Sequence, residues 1–155
     1  MTMSFLDIAG SRRSCRRFSD VLLSEDEIAS IMEAGRLAPS SRGLDDVRLI
    51  PVSDTGLIRR LALCRDSSTT ALETATFAVI VAADPKICDV WIEDASIASI
   101  IMQLEAEDLG LGSCWIQIRN RFSGDTPSSE MVIRQASLDP GLNVLSIVAF
   151  GVKKE

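Results

Sequence analysis

The stretch GLGSCWI at residues 110–116 decides the fold, because it ends a long apolar segment and opens a new strand. A second cluster, SRRSCRRF at residues 11–18, stands near the start of the chain. Its arginines and hydroxyls suit a phosphorylated ligand, since the guanidinium fork pairs with phosphate and carbonyl oxygens. The glycines of the first stretch let backbone amides approach a flat ring. A solvated basic patch is the alternative explanation of the arginines.

The first half of the chain predicts a helix, an edge strand and a buried strand. Ser24 and Glu27 have the spacing of a capping box, so we expect a helix from about Ser24 to Leu37. A loop over residues 38–43 follows, and Pro51 places the strand over 47–52 at an edge or near its end. After a short helix over 54–64, the apolar run 77–83 predicts a central strand buried on both faces.

The second half predicts a long helix over about residues 89–109, mostly buried in the core or at a subunit interface. Its polar residues share one stripe, and its isoleucines lie on the remaining surface. The stripe consists of Ser96, Ser99, Gln103 and Glu107. Gly110 is the expected C-cap. The pattern ends with a strand over 113–118, a loop over 119–128, a helix over about 127–136 and a strand over 143–151.

Length and charge restrict the protein's class. With 155 residues the chain is long enough for one domain, expected over residues 1–155. A net charge of -6 argues against binding nucleic acid or an anionic membrane surface. The four cysteines form no CxxC pair, and the start of the chain lacks a signal-peptide pattern. We therefore expect a reduced, cytoplasmic protein.

The chain contains no histidine and no tyrosine. The absence of histidine excludes Ser/His/Asp and Cys/His catalysis as well as histidine-ligated zinc, and we predict no metal site. Cys114 and Cys15 adjoin the two clusters, but a small buried residue is the favoured interpretation of Cys114. Because acid–base groups that titrate near neutrality are scarce, we expect a bound cofactor to supply the chemistry.

The order of these motifs resembles the nitroreductase family of FMN-dependent oxidoreductases. Nearly the whole chain takes part, and the combination is more specific than any single piece. The matching pieces are RRS-x-R-x-F at 12–18, APSS at 38–41, ADP at 83–85, DAS at 94–96, GLGSCW at 110–115 and IVAFG at 147–151. The resemblance implies an α+β fold, with a mainly antiparallel central sheet surrounded by helices. It also implies an intertwined homodimer with FMN in two clefts between the subunits.

The resemblance also implies which residues bind FMN. One set matches the segment that holds the phosphate, the ribityl chain and the pyrimidine edge: Arg12, Arg13, Ser14 and Arg16. A second set matches the loop that the other subunit donates: Pro39, Ser40, Ser41 and Arg42. Gly112 and Ser113 are expected near the isoalloxazine, Gln117 near its reactive nitrogen, and Lys153 in place of a basic phosphate contact.

The implied activity is ping-pong hydride transfer from NADH or NADPH through the flavin to a nitroaromatic, a quinone or a similar small acceptor. The flavin carries the chemistry, so no catalytic protein residue is required. The chain departs from the family at Asp45-Asp46-Val47, where two acids are expected beside an anionic cofactor in place of a Gln-Pro-Trp segment. The alternative is therefore a degenerate protein that binds flavin weakly, or a non-catalytic flavin carrier or interaction protein.

Overall fold

The computed structural model describes residues 2–154. Its central sheet has four strands: Val47–Val52 (β1), Phe77–Ala83 (β2), Gly112–Gln117 (β3) and Asn143–Gly151 (β6). They lie in the order β1-β2-β6-β3, and every neighbouring pair is antiparallel. A separate two-stranded hairpin pairs Phe122–Ser123 (β4) with Thr126–Pro127 (β5). The predicted α+β fold with an antiparallel sheet is confirmed.

Helices cover both faces of this sheet. The α-helices are Phe5–Ser11 (α1), Glu25–Arg36 (α2), Thr55–Leu61 (α3), Trp91–Asp108 (α4) and Ser128–Gln135 (α5). Short 3-10 turns lie at Ser41–Gly43, Ala62–Cys64 and Thr70–Glu73. Between residues 2 and 154, no helix is both long and apolar enough to cross a membrane.

The central sheet separates two hydrophobic cores. Successive side chains of β2 point to opposite faces, so Ile80 packs with α3 and α5 while Val79 packs with α2 and α4. All seven residues of β2 are buried, as its apolar sequence predicts. β6 supplies the neighbouring layer, with Ile147 on the first face and Phe150 on the second. Burial of apolar side chains on both faces of β2 and β6 thus holds the flanking helices against the sheet.

The capping box predicted at the start of α2 is confirmed. Ser24 Oγ accepts the Glu27 amide at 3.1 Å, and Glu27 Oε1 accepts the Ser24 amide at 2.8 Å. The helix α1 was not predicted, although Ser4 and Asp7 form the same kind of box at its start. The predicted loop over 119–128 also contains the β4–β5 hairpin, whose strands of two residues carry no periodic pattern.

The long helix α4 is oriented differently from the expectation. Its buried face includes Ser99 and Gln103 from the polar stripe, whereas Ile97 and Ile100 are each 36% exposed. Buried hydrogen bonds explain this orientation. Ser99 Oγ lies 3.0 Å from Ser146 Oγ of β6, and Gln103 Nε2 donates to Ser113 Oγ of β3 at 3.1 Å. The polar stripe therefore connects the helix to the sheet.

Candidate functional site

The arginine segment, defined as residues 12–17, lies along the edge strand β3. Ser14 forms a parallel bridge with Ser113, and the Cys15 amide donates to the Ser113 carbonyl at 2.8 Å. Phe18 then pairs with Lys153 just beyond the end of β6. Because β3 has a free edge, its backbone groups can accept this additional segment. The two sequence clusters, separated by about a hundred residues, thus meet at one place.

Gly112 permits this close approach. A Cβ atom on Gly112 would lie 2.8 Å from Cys15 Sγ and 3.1 Å from Lys153 Cγ. Carbon and sulfur atoms do not approach so closely without displacement of one of them. The glycine that the sequence associates with a flat ligand therefore has a packing role in the protein itself.

The arginines of this segment have different surroundings. Arg13 Nη1 donates to the carbonyls of Gly10 at 2.7 Å and Arg12 at 2.9 Å, so it satisfies the end of α1. In the part of the chain that the structure describes, Arg12, Arg16 and Arg17 form no salt bridge. Clustered cations without carboxylates repel one another and attract an anion. Arg12 and Arg16 are thus available to a negatively charged ligand.

Lys153 reaches the same edge but is paired. Its Nζ lies 3.2 Å from Glu107 Oε2, and the Glu107 side chain is only 9% exposed. Glu107 Oε1 also accepts the Ser11 hydroxyl at 2.9 Å. Glu107 therefore joins α4 to the start of the arginine segment and to the end of the chain. From periodicity alone, Glu107 was identified only as a member of the polar stripe of α4.

A cavity of about 480 Å³ opens beside the arginine segment. Its lining includes Arg16, Arg65, Trp115 and Gln117. The Trp115 indole donates to Gln117 Oε1 at 3.0 Å, and Gln117 Nε2 donates to the Arg119 carbonyl at 2.9 Å, so the amide orientation is fixed. Arg65 Nη1 donates to the Gln117 backbone carbonyl at 3.0 Å. Arg65 was missed because it lies in a turn without a recognisable motif.

The second predicted set of ligand residues lies on loop 38–46, between α2 and β1. The Ser41 amide donates to both carboxylate oxygens of Asp94 at 3.0 Å, which fastens the loop to the first turn of α4. Pro39 and Ser40 line a cavity of about 270 Å³ that does not include the residues around Gln117. Arg42 is exposed and has a φ of 53°, and its Nη2 lies 3.9 Å from Asp89 Oδ1. One chain therefore places the two predicted sets at two separate cavities.

The two acids expected beside the cofactor differ in their exposure. Asp45 is exposed on loop 38–46, but Asp46 has no exposed surface. The left-handed backbone of Asp45, with a φ of 51°, turns the chain so that Asp46 enters the interior immediately before β1. The change in charge at the loop surface is therefore smaller than the sequence indicates.

Two of the cysteine thiols, Cys64 and Cys114, are poorly suited to nucleophilic chemistry. Burial raises the pKa of Cys64 to about 11, and burial also raises the pKa of Cys114 despite the nearby Arg16. A thiol with a raised pKa holds little of the reactive thiolate near neutral pH. The interpretation of Cys114 as a small buried residue agrees with its 5% exposure.

An antiparallel sheet between helical layers, with an arginine segment on its edge strand, defines an α+β protein of the nitroreductase type. The pattern that defines the nitroreductase family matches residues 9–85. A protein of Archaeoglobus fulgidus, whose provisional name joins NADH dehydrogenase and NAD(P)H nitroreductase, is 30% identical over 149 residues. Those residues are 94% of this chain and 83% of the relative. The chain belongs to the nitroreductase family.

Solved structures support the same assignment. An FMN-dependent nitroreductase of Clostridium difficile is 37% identical and superimposes with a TM-score of 0.94, over 97% of this chain and 88% of that one. A protein of Desulfovibrio desulfuricans, provisionally named a nitroreductase and solved in complex with FMN, has a TM-score of 0.83 at 23% identity. That match covers all of this chain and 89% of the other, and it shows a shared fold.

Proposed function

We propose that the protein is an FMN-dependent oxidoreductase that uses NADH or NADPH to reduce a small organic acceptor such as a nitroaromatic or a quinone. The observation that carries this proposal is the pair of arginines without a salt bridge, of which Arg16 lines the cavity around Gln117 and Arg12 lies four residues earlier in the same segment. The relatives add support, because one is named FMN-dependent and another carries NAD(P)H in its name. The four cysteines are all free, which suits the reducing cytoplasm.

The residues at the edge of β3 fit the parts of FMN. Arg12 and Arg16 offer guanidinium forks to phosphate and pyrimidine oxygens, and Ser14 offers a hydroxyl to the ribityl chain. Gly112 packs against Cys15, and the Ser113 carbonyl already accepts the Cys15 amide, so in this proposal both residues act by holding the arginine segment on β3. Arg13 is the weakest member of the predicted set, because its guanidinium already serves the end of α1. Lys153 would have to leave Glu107 in order to reach a phosphate.

A second subunit is needed to bring the two predicted sets together. Loop 38–46 and the arginine segment line separate cavities within one chain, and we infer that each FMN lies between loop 38–46 of one subunit and the arginine segment of the other. Exposed apolar side chains are available for such a homodimer. On α1, which buries no residue in the isolated chain, Leu6 is 80% exposed and Phe5 is 67% exposed. On α4, Ile97 and Ile100 are each 36% exposed.

The protein's own residues have limited tasks in this proposal. The bound flavin supplies hydride acceptance and donation, which no side chain of this composition can supply. Arg16 lines the cavity, where its positive charge would stabilise an anionic ligand. Gln117 presents a fixed amide, because both Trp115 and Arg119 hold it. No histidine or thiolate has to transfer a proton.

The proposal is tested on the purified protein. Its visible absorption spectrum is measured before and after FMN is added and the excess removed, and the released cofactor is identified after denaturation. We expect about one FMN per chain and oxidation of NADH or NADPH when an acceptor is present. Protein that retains no flavin at high FMN concentration contradicts the proposal.

One observation favours a second function, that of a weak flavin binder without turnover. The cation predicted to contact the phosphate from the end of the chain, Lys153, is paired with Glu107 and partly neutralised. A protein with this function retains FMN but does not accelerate oxidation of either nicotinamide cofactor. The same absorption and turnover measurements therefore distinguish the two functions.

A further inference from the structure

The carboxyl group of Asp46 is the least satisfied buried group near loop 38–46. It has no exposed surface, and neither oxygen has a hydrogen-bond partner within residues 2–154. A buried ionised carboxylate without a donor is strongly unfavourable. Some proton or cation must therefore compensate for its position.

The surroundings of Asp46 contain further acids. Its side-chain oxygen lies within 4.8 Å of an oxygen of Asp94 and of the Cys88 sulfur. Asp94 comes from the first turn of α4, Cys88 from the turn between β2 and α4, and Asp45 from the same loop. Arg48, on the neighbouring β1, donates to the Asp45 backbone carbonyl at 3.5 Å. Among the described residues, no salt bridge involves Asp46 or Asp94.

The two aspartates differ in how well they accommodate negative charge. Both oxygens of Asp94 accept the Ser41 amide, and the start of α4 favours an anion. Cys88 contributes a weak S–H donor to Asp94 at 3.7 Å. Asp46 accepts no amide hydrogen bond among the described residues and does not lie at the start of a helix. Burial, followed by the adjacent Asp94, raises the pKa of Asp46 above its ordinary value near 3.8.

We propose that Asp46 is protonated and donates a hydrogen bond to the Asp94 carboxylate, which makes Asp46 a positioning residue for loop 38–46. Asp94 then receives two bonds from this loop, one from the Ser41 amide and one from the Asp46 hydroxyl. The proton satisfies the buried carboxyl and removes the repulsion between the two acids.

The consequence is a dependence of the loop on pH. Because the pKa of Asp46 is raised on folding, its contribution to stability is complete below pH 3.8 and is lost as the pH rises through the raised value. The effect on FMN rests on the proposed function, since loop 38–46 would be the loop donated to the partner's flavin. Each pH unit above the pKa of Asp46 then weakens FMN binding by up to about tenfold.

The experiment compares the wild type with Asp46→Asn and with the control Asp45→Asn. Asparagine keeps the shape and donates an N–H to Asp94 at every pH, whereas Asp45 is exposed on the same loop. The melting temperature of the FMN-free protein is measured from pH 4 to pH 9. We expect the wild type and Asp45→Asn to lose stability relative to Asp46→Asn as the pH rises. Parallel profiles for all three proteins overturn the proposal.

Two further measurements keep the proposal testable if Asp46→Asn does not fold. In wild-type protein labelled with carbon-13 at the aspartate carboxyls, one carboxyl should titrate above the others, and the absence of such a carboxyl overturns the proposal. Elemental analysis should find no bound metal, and one zinc ion per chain overturns it as well, because a cation then replaces the proton. If no variant binds FMN, the proposed function fails, while the melting profiles still test the shared proton.

Discussion

The Cys15 amide donates to the Ser113 carbonyl at 2.8 Å, and this bond fixes the arginine segment on the edge of β3. The cations are therefore held by backbone contacts, which a change of side chain leaves intact. Their charge can be removed without moving the segment.

We predict that Arg12→Ala combined with Arg16→Ala abolishes FMN retention and leaves a folded dimer. Loss of a charge-assisted hydrogen bond costs about 1.5–3 kcal/mol, so two such losses weaken binding by more than a hundredfold. FMN titration measures the affinity, and circular dichroism measures the fold. The control is Arg60→Ala combined with Arg121→Ala, which removes the same charge from two exposed arginines outside the arginine segment. Unchanged FMN occupancy in the first variant excludes these arginines from the site.

A second prediction concerns the close packing at Gly112. Gly112→Ala places a Cβ 2.8 Å from Cys15 Sγ, so we expect the free energy of unfolding to fall by about 1–3 kcal/mol. FMN binding should weaken with it, since the arginine segment must shift. Urea denaturation measures the change. Gly10→Ala is the control, because a Cβ there has nothing within 4 Å and alanine favours the helix α1.

The pair Lys153–Glu107 gives a test of the predicted phosphate contact. Glu107→Gln keeps an acceptor for Ser11 but removes the charge that holds Lys153 at 3.2 Å. We expect FMN affinity to rise a few-fold in Glu107→Gln and to fall a similar amount in Lys153→Ala, as measured by fluorescence titration. If Lys153→Ala binds FMN as tightly as the wild type, Lys153 does not contact the phosphate.

Three of the thiols, those of Cys15, Cys64 and Cys114, should differ in reactivity. Cys15 is partly exposed, while burial raises the pKa of Cys64 to about 11 and also raises the pKa of Cys114. Below these pKa values the thiolate fraction falls tenfold per pH unit, so alkylation at pH 8 should modify Cys15 well before the other two. Mass spectrometry of the alkylated peptides checks the order. Cys114→Ala should retain turnover, and its loss would show that the thiol takes part in the reaction.

The homodimer is tested on α1. A helix of seven residues is not stable in water without packing, yet the isolated chain buries none of its residues. Leu6→Lys places a charge on the side chain that is 80% exposed, and we expect it to convert the dimer into a monomer that has lost FMN. Light scattering after size-exclusion chromatography measures the mass. Leu63→Lys changes a leucine that is 65% exposed elsewhere and should leave the dimer intact.

Much of the fold could be predicted because local signals and tertiary structure agree. The apolar run of β2 and the capping box at Ser24 each specify their element without reference to the rest of the chain. The orientation of α4 could not be predicted from periodicity. Ser99 and Gln103 are buried only because they find Ser146 and Ser113, and the sequence does not show such partners.

In the candidate site, too, motifs predicted some residues, while others depend on tertiary contacts. Motifs indicated Arg16 and Gln117, which the structure places around one cavity, but they gave no sign of Arg65, whose role depends on the Gln117 carbonyl. Asp46 was expected beside the cofactor, and its burial was not predicted because acids are seldom buried. Its burial depends on the left-handed turn at Asp45, a conformation that sequence patterns do not report.

The bridge between Ser14 and Ser113 also affects how the protein behaves at high concentration. β1 and β3 are the two outer strands of the sheet, and an open outer strand invites pairing with other molecules. Pro51 interrupts the row of donors on β1, and the arginine segment covers the start of β3 with positive charge. The arginine segment, which is proposed to hold a cofactor, thus also disfavours edge-to-edge pairing of β3 with other molecules.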